Sequence, residues 1–207
     1  MPGARANAEV EMLDTRDPGH DTRDQPGVEG AVASFYAALG DAIAPLGMDG
    51  RLQCLLEAVL VQLDAEIGSI LLLDADTRMR VAASCGLPDH VVSATCIELG
   101  CGISISGHVA RMGEALLVRD VERDNRFRRR NHERYYTRSF VSAPVLHRGT
   151  VRGVINASDK RSRGCFGAAD LAFLEAVGRA ASAALRDGDW LSWSEARCVR
   201  LGARVDG

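Results

Sequence analysis

Apolar residues recur at helical spacing twice in the first third of the chain. Val28, Val32, Phe35, Leu39 and Ile43 fall three or four positions apart, which predicts a helix over Val28–Ala44 ended by Pro45 and Gly47. Leu52, Leu55, Leu56, Val59, Leu60 and Leu63 form a broader stripe, which predicts a helix over Asp49–Asp64 buried on more than one side. The period then shortens to that of a strand. Ile67–Leu73 is apolar and bounded by polar residues, and Arg78–Ser84 alternates Met79, Val81 and Ala83 with charged or small residues. Two such runs across Asp74–Thr77 predict an antiparallel hairpin. An edge strand is expected near Thr95–Leu99, within a stretch from Val91 that has no clear period.

The second half repeats the alternation of element types. A helix is predicted at Ser104–Met112, a short strand at Ala115–Val118, and two strong strands at Ser139–Leu146 and Val151–Ala157 around the turn His147–Thr150. Leu171, Leu174, Val177, Ala181 and Leu185 are the seam of a last helix from Gly167 to about Arg186, with Asp170 in its first turn. The order is helix, helix, three strands, helix, three strands, helix. It predicts an α+β domain with an antiparallel sheet and helices packed on a face.

Composition narrows the class without naming a function. The 207 residues fit one domain with extensions. Residues 1–27 are polar, with seven acids against three arginines through Glu29, and are expected to be a disordered tail; 188–207 are read as a carboxy-terminal extension containing Trp190, Trp193 and Cys198. The net charge of −3 argues against a general nucleic-acid binder. No run approaches the roughly 20 apolar residues of a membrane span, and the first 30 residues lack a signal-peptide core. The expectation is therefore a cytoplasmic chain that binds neither nucleic acid nor membrane. Six cysteines without a CxxC pair are expected to be reduced thiols. Of the 25 basic residues all but Lys160 are arginine, which reads as the habit of a GC-rich genome.

Four stretches in this order carry a resemblance: the hairpin GSILLLDADTRMRVAAS, then GISISGHVARMGEALLVRDVERDNRF, then SFVSAPVLHRGTVRGVINASDK, then FGAADLAFLEAVGRAASAAL. Together they resemble the GAF domain family over about Leu52–Leu185. The resemblance implies a six-stranded antiparallel sheet with flanking helices, a ligand pocket on one face, and long helices that pair into a dimer on the other. It implies a regulatory signal-transduction module that senses a small molecule and transmits the signal through its terminal helices. The cofactor, the ligand and the output partner remain unknown from sequence. Cyclic-nucleotide-binding members carry an Asn-Lys near the end of the last central strand. Here Ser158-Asp159-Lys160 stands there and Asn156 lies two positions out of register, which argues against that ligand. Two other readings stay open: a ligand-free dimerisation or protein-interaction module, and a thiol-dependent redox enzyme of the free methionine sulfoxide reductase type, for which Cys85, Cys96 and Cys101 would be the candidates.

The pocket is expected between the segment after Gly102, the loop Asp120–Arg138 and the strand Ser139–Pro144. Phe127 is a candidate wall, with plugging of the space between loop and sheet as its plainer role. Arg138, Ser139 and Ser142 are candidate polar contacts, and Asp120 is another, with loop capping as its plainer role. Eight arginines against four acids lie across Arg119–Arg138. Arginine suits recognition of carboxylate or phosphate, so a small anionic or nucleotide-like ligand is allowed, with Tyr135 and Tyr136 placed either to stack on a base or to pack as a hinge. Surface ion pairs are the plainer account of these charges. His108 and His132 as haem ligands, or Cys96, Cys101 and His108 around a metal, lack the supporting spacing; no metal site and no catalytic residue are expected. The helix seams at Val28–Ala44 and Leu171–Leu185 must be covered by the sheet or by a second subunit, and a homodimer is the expectation.

Overall fold

The computed structural model of the protein describes residues 26–74, 78–99, 104–127 and 131–184. The expected tail (but for its last two residues), the carboxy-terminal extension with Trp190, Trp193 and Cys198, and Cys101 lie outside the described residues. In chain order the elements are α1 (Pro26–Ile43), α2 (Met48–Gln62), β1 (Ala65–Leu73), β2 (Arg78–Cys85), α3 (Asp89–Ala94), β3 (Cys96–Glu98), α4 (Ile105–Met112), β4 (Leu116–Val118), β5 (Phe140–His147), β6 (Thr150–Lys160) and α5 (Ala168–Ala184). The strands form one sheet in the order β3-β2-β1-β6-β5-β4, and every neighbouring pair is antiparallel. This is the six-stranded α+β architecture that the alternation of periods predicts.

Each face of the sheet has its own core, because the side chains of a strand alternate between faces. On one face Ile70, Leu72, Ala143, Val145 and Ile155 meet Leu56 and Val59 of α2 and Leu174 and Val177 of α5. On the other face Leu71, Val81 and Val154 meet Val109 of α4 and Val121 and Phe127 of the following loop. The hairpin between β5 and β6 turns on Arg148 and Gly149, with φ of 50° and 76°. Two successive positive values match the right-handed twist of the strands they join.

The seam of α1 is covered within the same chain. Val32, Leu39 and Ile43 are buried in the core shared with α2 and α5. Phe35 meets Phe173 edge-on at 5.6 Å, and the Tyr36 hydroxyl donates to the Val177 carbonyl at 2.8 Å. Burial pushes the Tyr36 phenol pKa well upward. Of the two ways to bury this stripe, the intramolecular one is used for Val32, Leu39 and Ile43.

Two departures from the expected elements have a clear cause. The helix α3 was not expected. Its six residues are too few to display a period, and none of them is buried. The last central strand runs past Ala157 to Lys160. Its polar end is held by pairing of Ala65 with Lys160, Ile67 with Ser158 and Phe140 with Ser158, not by an apolar alternation.

Candidate ligand-binding site

The register of three central strands places a polar row on the α4 side of the sheet. Ser69 of β1 lies opposite Asn156 of β6, and Asn156 lies opposite Ser142 of β5. Residues directly opposite each other in neighbouring strands share a face, so the three side chains stand side by side. The Asn156 Oδ1 accepts the Ser142 hydroxyl at 2.7 Å and the Ser106 hydroxyl of α4 at 3.3 Å, while Nδ2 donates to the Ser69 oxygen at 3.2 Å. The amide orientation follows from this network. Ser104 starts α4 by accepting the Gly107 N–H at 2.9 Å, an N-cap that fixes where Ser106 points.

Above this row lies a cavity of about 200 Å³. Leu71, Val81, Ile97, Ile105 and Val121 supply apolar wall, and Leu87 and Val91 close the side toward α3. Its remaining boundary is the loop between β4 and β5, through Asn131, His132, Arg134 and Tyr135. Apolar walls with a few convergent polar groups are the usual form of a small-molecule site. The described lining contains no cysteine, and among the described residues no group of three or more His, Cys, Asp or Glu side chains could hold a metal.

The loop is fastened at both ends. Its carboxy-terminal end is held by Asp159, whose Oδ1 accepts the Thr137 N–H at 2.8 Å and the Thr137 hydroxyl at 2.9 Å. Ser139 donates its hydroxyl to the Val118 carbonyl and accepts the Phe166 N–H, both at 3.0 Å, which ties β4, β5 and the entry to α5 together. At the other end Asp124 receives Arg126 through Nε–H at 2.9 Å and Nη2–H at 2.6 Å, and Arg126 also donates to the Leu117 carbonyl at 3.2 Å. The hydrogen-bonded Arg126 side chain holds the Asp124 carboxyl below the ordinary carboxylate range. A depressed folded-state pKa contributes stability that is full above the unfolded value of about 3.9 and is lost as pH falls through the folded value. Asp124→Asn should therefore cost about 0–1 kcal/mol at neutral pH, and the gap from wild type should begin to close below about pH 4 and vanish only once the folded-state carboxyl protonates at lower pH. A deficit that persists unchanged in acid would show that the charge is not what matters.

None of the six residues predicted from sequence lines this cavity. Phe127 is buried in the second core, edge-on to His108 at 5.6 Å. Arg138 points to solvent and pairs with Glu122 at 3.2 Å and Asp120 at 3.9 Å. Asp120 also accepts the Glu122 N–H, closing a turn. Ser139 is fully buried in its structural bridge. The Tyr136 hydroxyl donates to the carbonyls of Asp159 and Lys160, and its ring lies 3.7 Å from the Arg163 guanidinium, outside the cavity. Ser142 comes nearest, through its bond to Asn156. The residues that do line the cavity with polar side chains, Ser69, Thr95, Ser106, Arg134 and Asn156 among them, come from five separate segments. A periodic polar position inside an apolar strand, as at Ser69 and Asn156, was the available signal.

The GAF domain model matches residues 46–186, two thirds of the chain. The chain belongs to the GAF domain family. The GAF domain from an Acinetobacter phosphoenolpyruvate-protein phosphotransferase is similar to it at 22% identity and a TM-score of 0.60, covering 79% of this chain and 94% of that one. The corresponding Coxiella burnetii GAF domain has 15% identity and a TM-score of 0.62, covering 83% and 98%. A free methionine-R-sulfoxide reductase from Neisseria meningitidis, solved with its substrate, has 15% identity and a TM-score of 0.58, covering 82% and 93%. At these identities the likeness is one of fold. No protein of curated function matches the chain. Among the described residues no helix is long and apolar enough to cross a membrane.

Proposed function

We propose that this GAF domain is a regulatory sensor that binds a small molecule in the cavity between the Ser69–Asn156–Ser142 row, α4 and the β4–β5 loop. The observation that carries the reading is the cavity itself, with apolar walls over a hydrogen-bonded polar floor. A domain that only mediated contacts between proteins would have no use for polar groups directed inward at the centre of its sheet, where each must be satisfied at some cost.

Transmission follows from the fastenings of the loop. A ligand touching Asn131–Tyr135 bears on Thr137, and Thr137 is bonded to Asp159. The next residue, Lys160, pairs with Asp170 in the first turn of α5 at 3.0 Å, and Ser139 reaches the same turn through Phe166. Ligand binding signals only by favouring one of two arrangements of these contacts, and the α5 end is where the change would leave the domain.

Native mass spectrometry of freshly purified full-length protein tests the proposal. Wild type should retain a non-covalent small-molecule mass. Ser106→Phe, which fills the cavity from α4 without altering strand pairing, should lose it while keeping a cooperative melting transition. Wild-type protein that retains nothing, and whose melting temperature is unmoved by a small-molecule extract of its expression host, would overturn the reading.

A further inference from the structure

The charge of the cavity wall points to the chemical class of its ligand. Around the β4–β5 loop Arg123, Arg126 and Arg138 each meet a carboxylate, at 3.6 Å from Asp120, 2.6 Å from Asp124 and 3.2 Å from Glu122 respectively. Arg134 is different. It is partly buried and lines the cavity. Its backbone N–H and Nε–H approach the Nδ1 of His132 at 3.3 and 3.2 Å, its Nη2 lies 3.1 Å from the Nε2 of the same ring, and its guanidinium carbon lies 5.7 Å from the centre of the Tyr135 ring. Among the described residues no carboxylate pairs with it, and the described lining contains neither Asp nor Glu. Among the described lining residues Arg134 is therefore the one permanent positive charge, with no carboxylate beside it.

We infer that the ligand is a small organic carboxylate whose anionic end lies on Arg134 and whose hydrocarbon body lies along Leu71, Val81, Ile97 and Val121. This rests on the sensor reading above. A partly desolvated guanidinium gains most from an oxyanion that can take two parallel N–H bonds, and those four side chains leave apolar wall for the rest of the molecule. Across the cavity the Ser69 oxygen already accepts the Asn156 amide, so its own hydroxyl hydrogen is directed elsewhere and suits an acceptor on the ligand. The size agrees. About 200 Å³ lies below the roughly 300–1,000 Å³ of drug-sized sites. A nucleotide would bring more bulk than a cavity of this volume takes.

The test is a matched binding panel on the full chain: butyrate, hexanoate, benzoate and phenylacetate, each beside its primary amide. Ligand-observed NMR and calorimetry give the affinities, and native mass spectrometry identifies any retained mass. At least one acid should bind saturably and at least tenfold more tightly than its amide. Arg134→Gln should remove that preference, bringing the affinity for the acid down to that for its amide, and Arg134→Lys should restore part of it. Equal affinity for acid and amide, or a retained mass that is neutral or a nucleotide, would overturn the carboxylate while leaving a small-molecule sensor standing. Absence of saturable binding across all eight probes together with an empty native spectrum would overturn both.

Discussion

Asp159→Ala should destabilise the domain by about 3 kcal/mol and release the cavity loop from the sheet. Asp159 is fully buried at the end of β6. Its Oδ1 is the partner of two buried donors at once, the Thr137 N–H and hydroxyl. Alanine leaves the N–H without an acceptor and leaves the hydroxyl only its long contact to the Ser139 carbonyl at 3.5 Å, and an orphaned buried group costs about 1–3 kcal/mol. The backbone adds to the loss, because Asp159 has φ of 57°, a left-handed conformation that Asp tolerates and Ala resists. One effect works the other way. The second carboxylate oxygen, Oδ2, is buried without a partner among the described residues, and its removal relieves a desolvation cost. The orphaned N–H, the weakened hydroxyl contact and the strain outweigh that relief. Asp159→Asn keeps the acceptor and the tolerance for positive φ, so it should cost less than half as much. Chemical denaturation gives the two free energies, and hydrogen exchange should show faster exchange across residues 131–138 in the alanine variant. A loss under about 0.5 kcal/mol would mean that the Thr137 contacts do not hold the loop.

The same contacts explain why the fold was legible in the sequence and the site was not. Elements with a repeating apolar face declared themselves: the stripe of Leu52 to Leu63 became α2, and the alternation through Met79, Val81 and Ala83 became β2. An α3 whose six residues bury nothing had no such face to display. For the site, an arginine-rich loop beside tyrosines reads as a ligand contact because charge and aromatic character are visible in one dimension. Folding then turned three of the described charges toward nearby carboxylates, Arg123 on Asp120, Arg126 on Asp124 and Arg138 on Glu122. What reaches the cavity depends on register. Asn156 sits two positions before the place at which a cyclic-nucleotide pattern would put it, yet pairing with Ser69 and Ser142 brings its amide to the floor. No linear motif encodes that row. It arises from two strand pairings and the docking of Ser106 from a helix.

Gly178→Ala should destabilise the protein by about 2–3 kcal/mol, although alanine is the better helix former. Gly178 lies inside α5, where replacing Gly by Ala favours an unconstrained helix by roughly 0.5–1 kcal/mol. Here the helix is seated directly on β5. A Cβ at this position would overlap the Pro144 carbonyl oxygen and press on its carbon at 3.2 Å. That neighbour is backbone, so no rotamer change can clear the space. Nor can β5 easily give way, since Pro144 is paired with Val154 of β6. The helix must move outward, and Leu174, Val177 and Ala181, all almost fully buried on the same face, lose packing together. Tyr36 would lose its hold on the Val177 carbonyl as well, loosening α1. The overpacking penalty of about 1–3 kcal/mol and these secondary losses exceed the gain in helix propensity. The sign of the change is the decisive measurement. A rise in stability by the propensity increment would show that α5 stands off the sheet, and the route from the cavity loop through Phe166 and Asp170 would then end on a helix without a rigid seat.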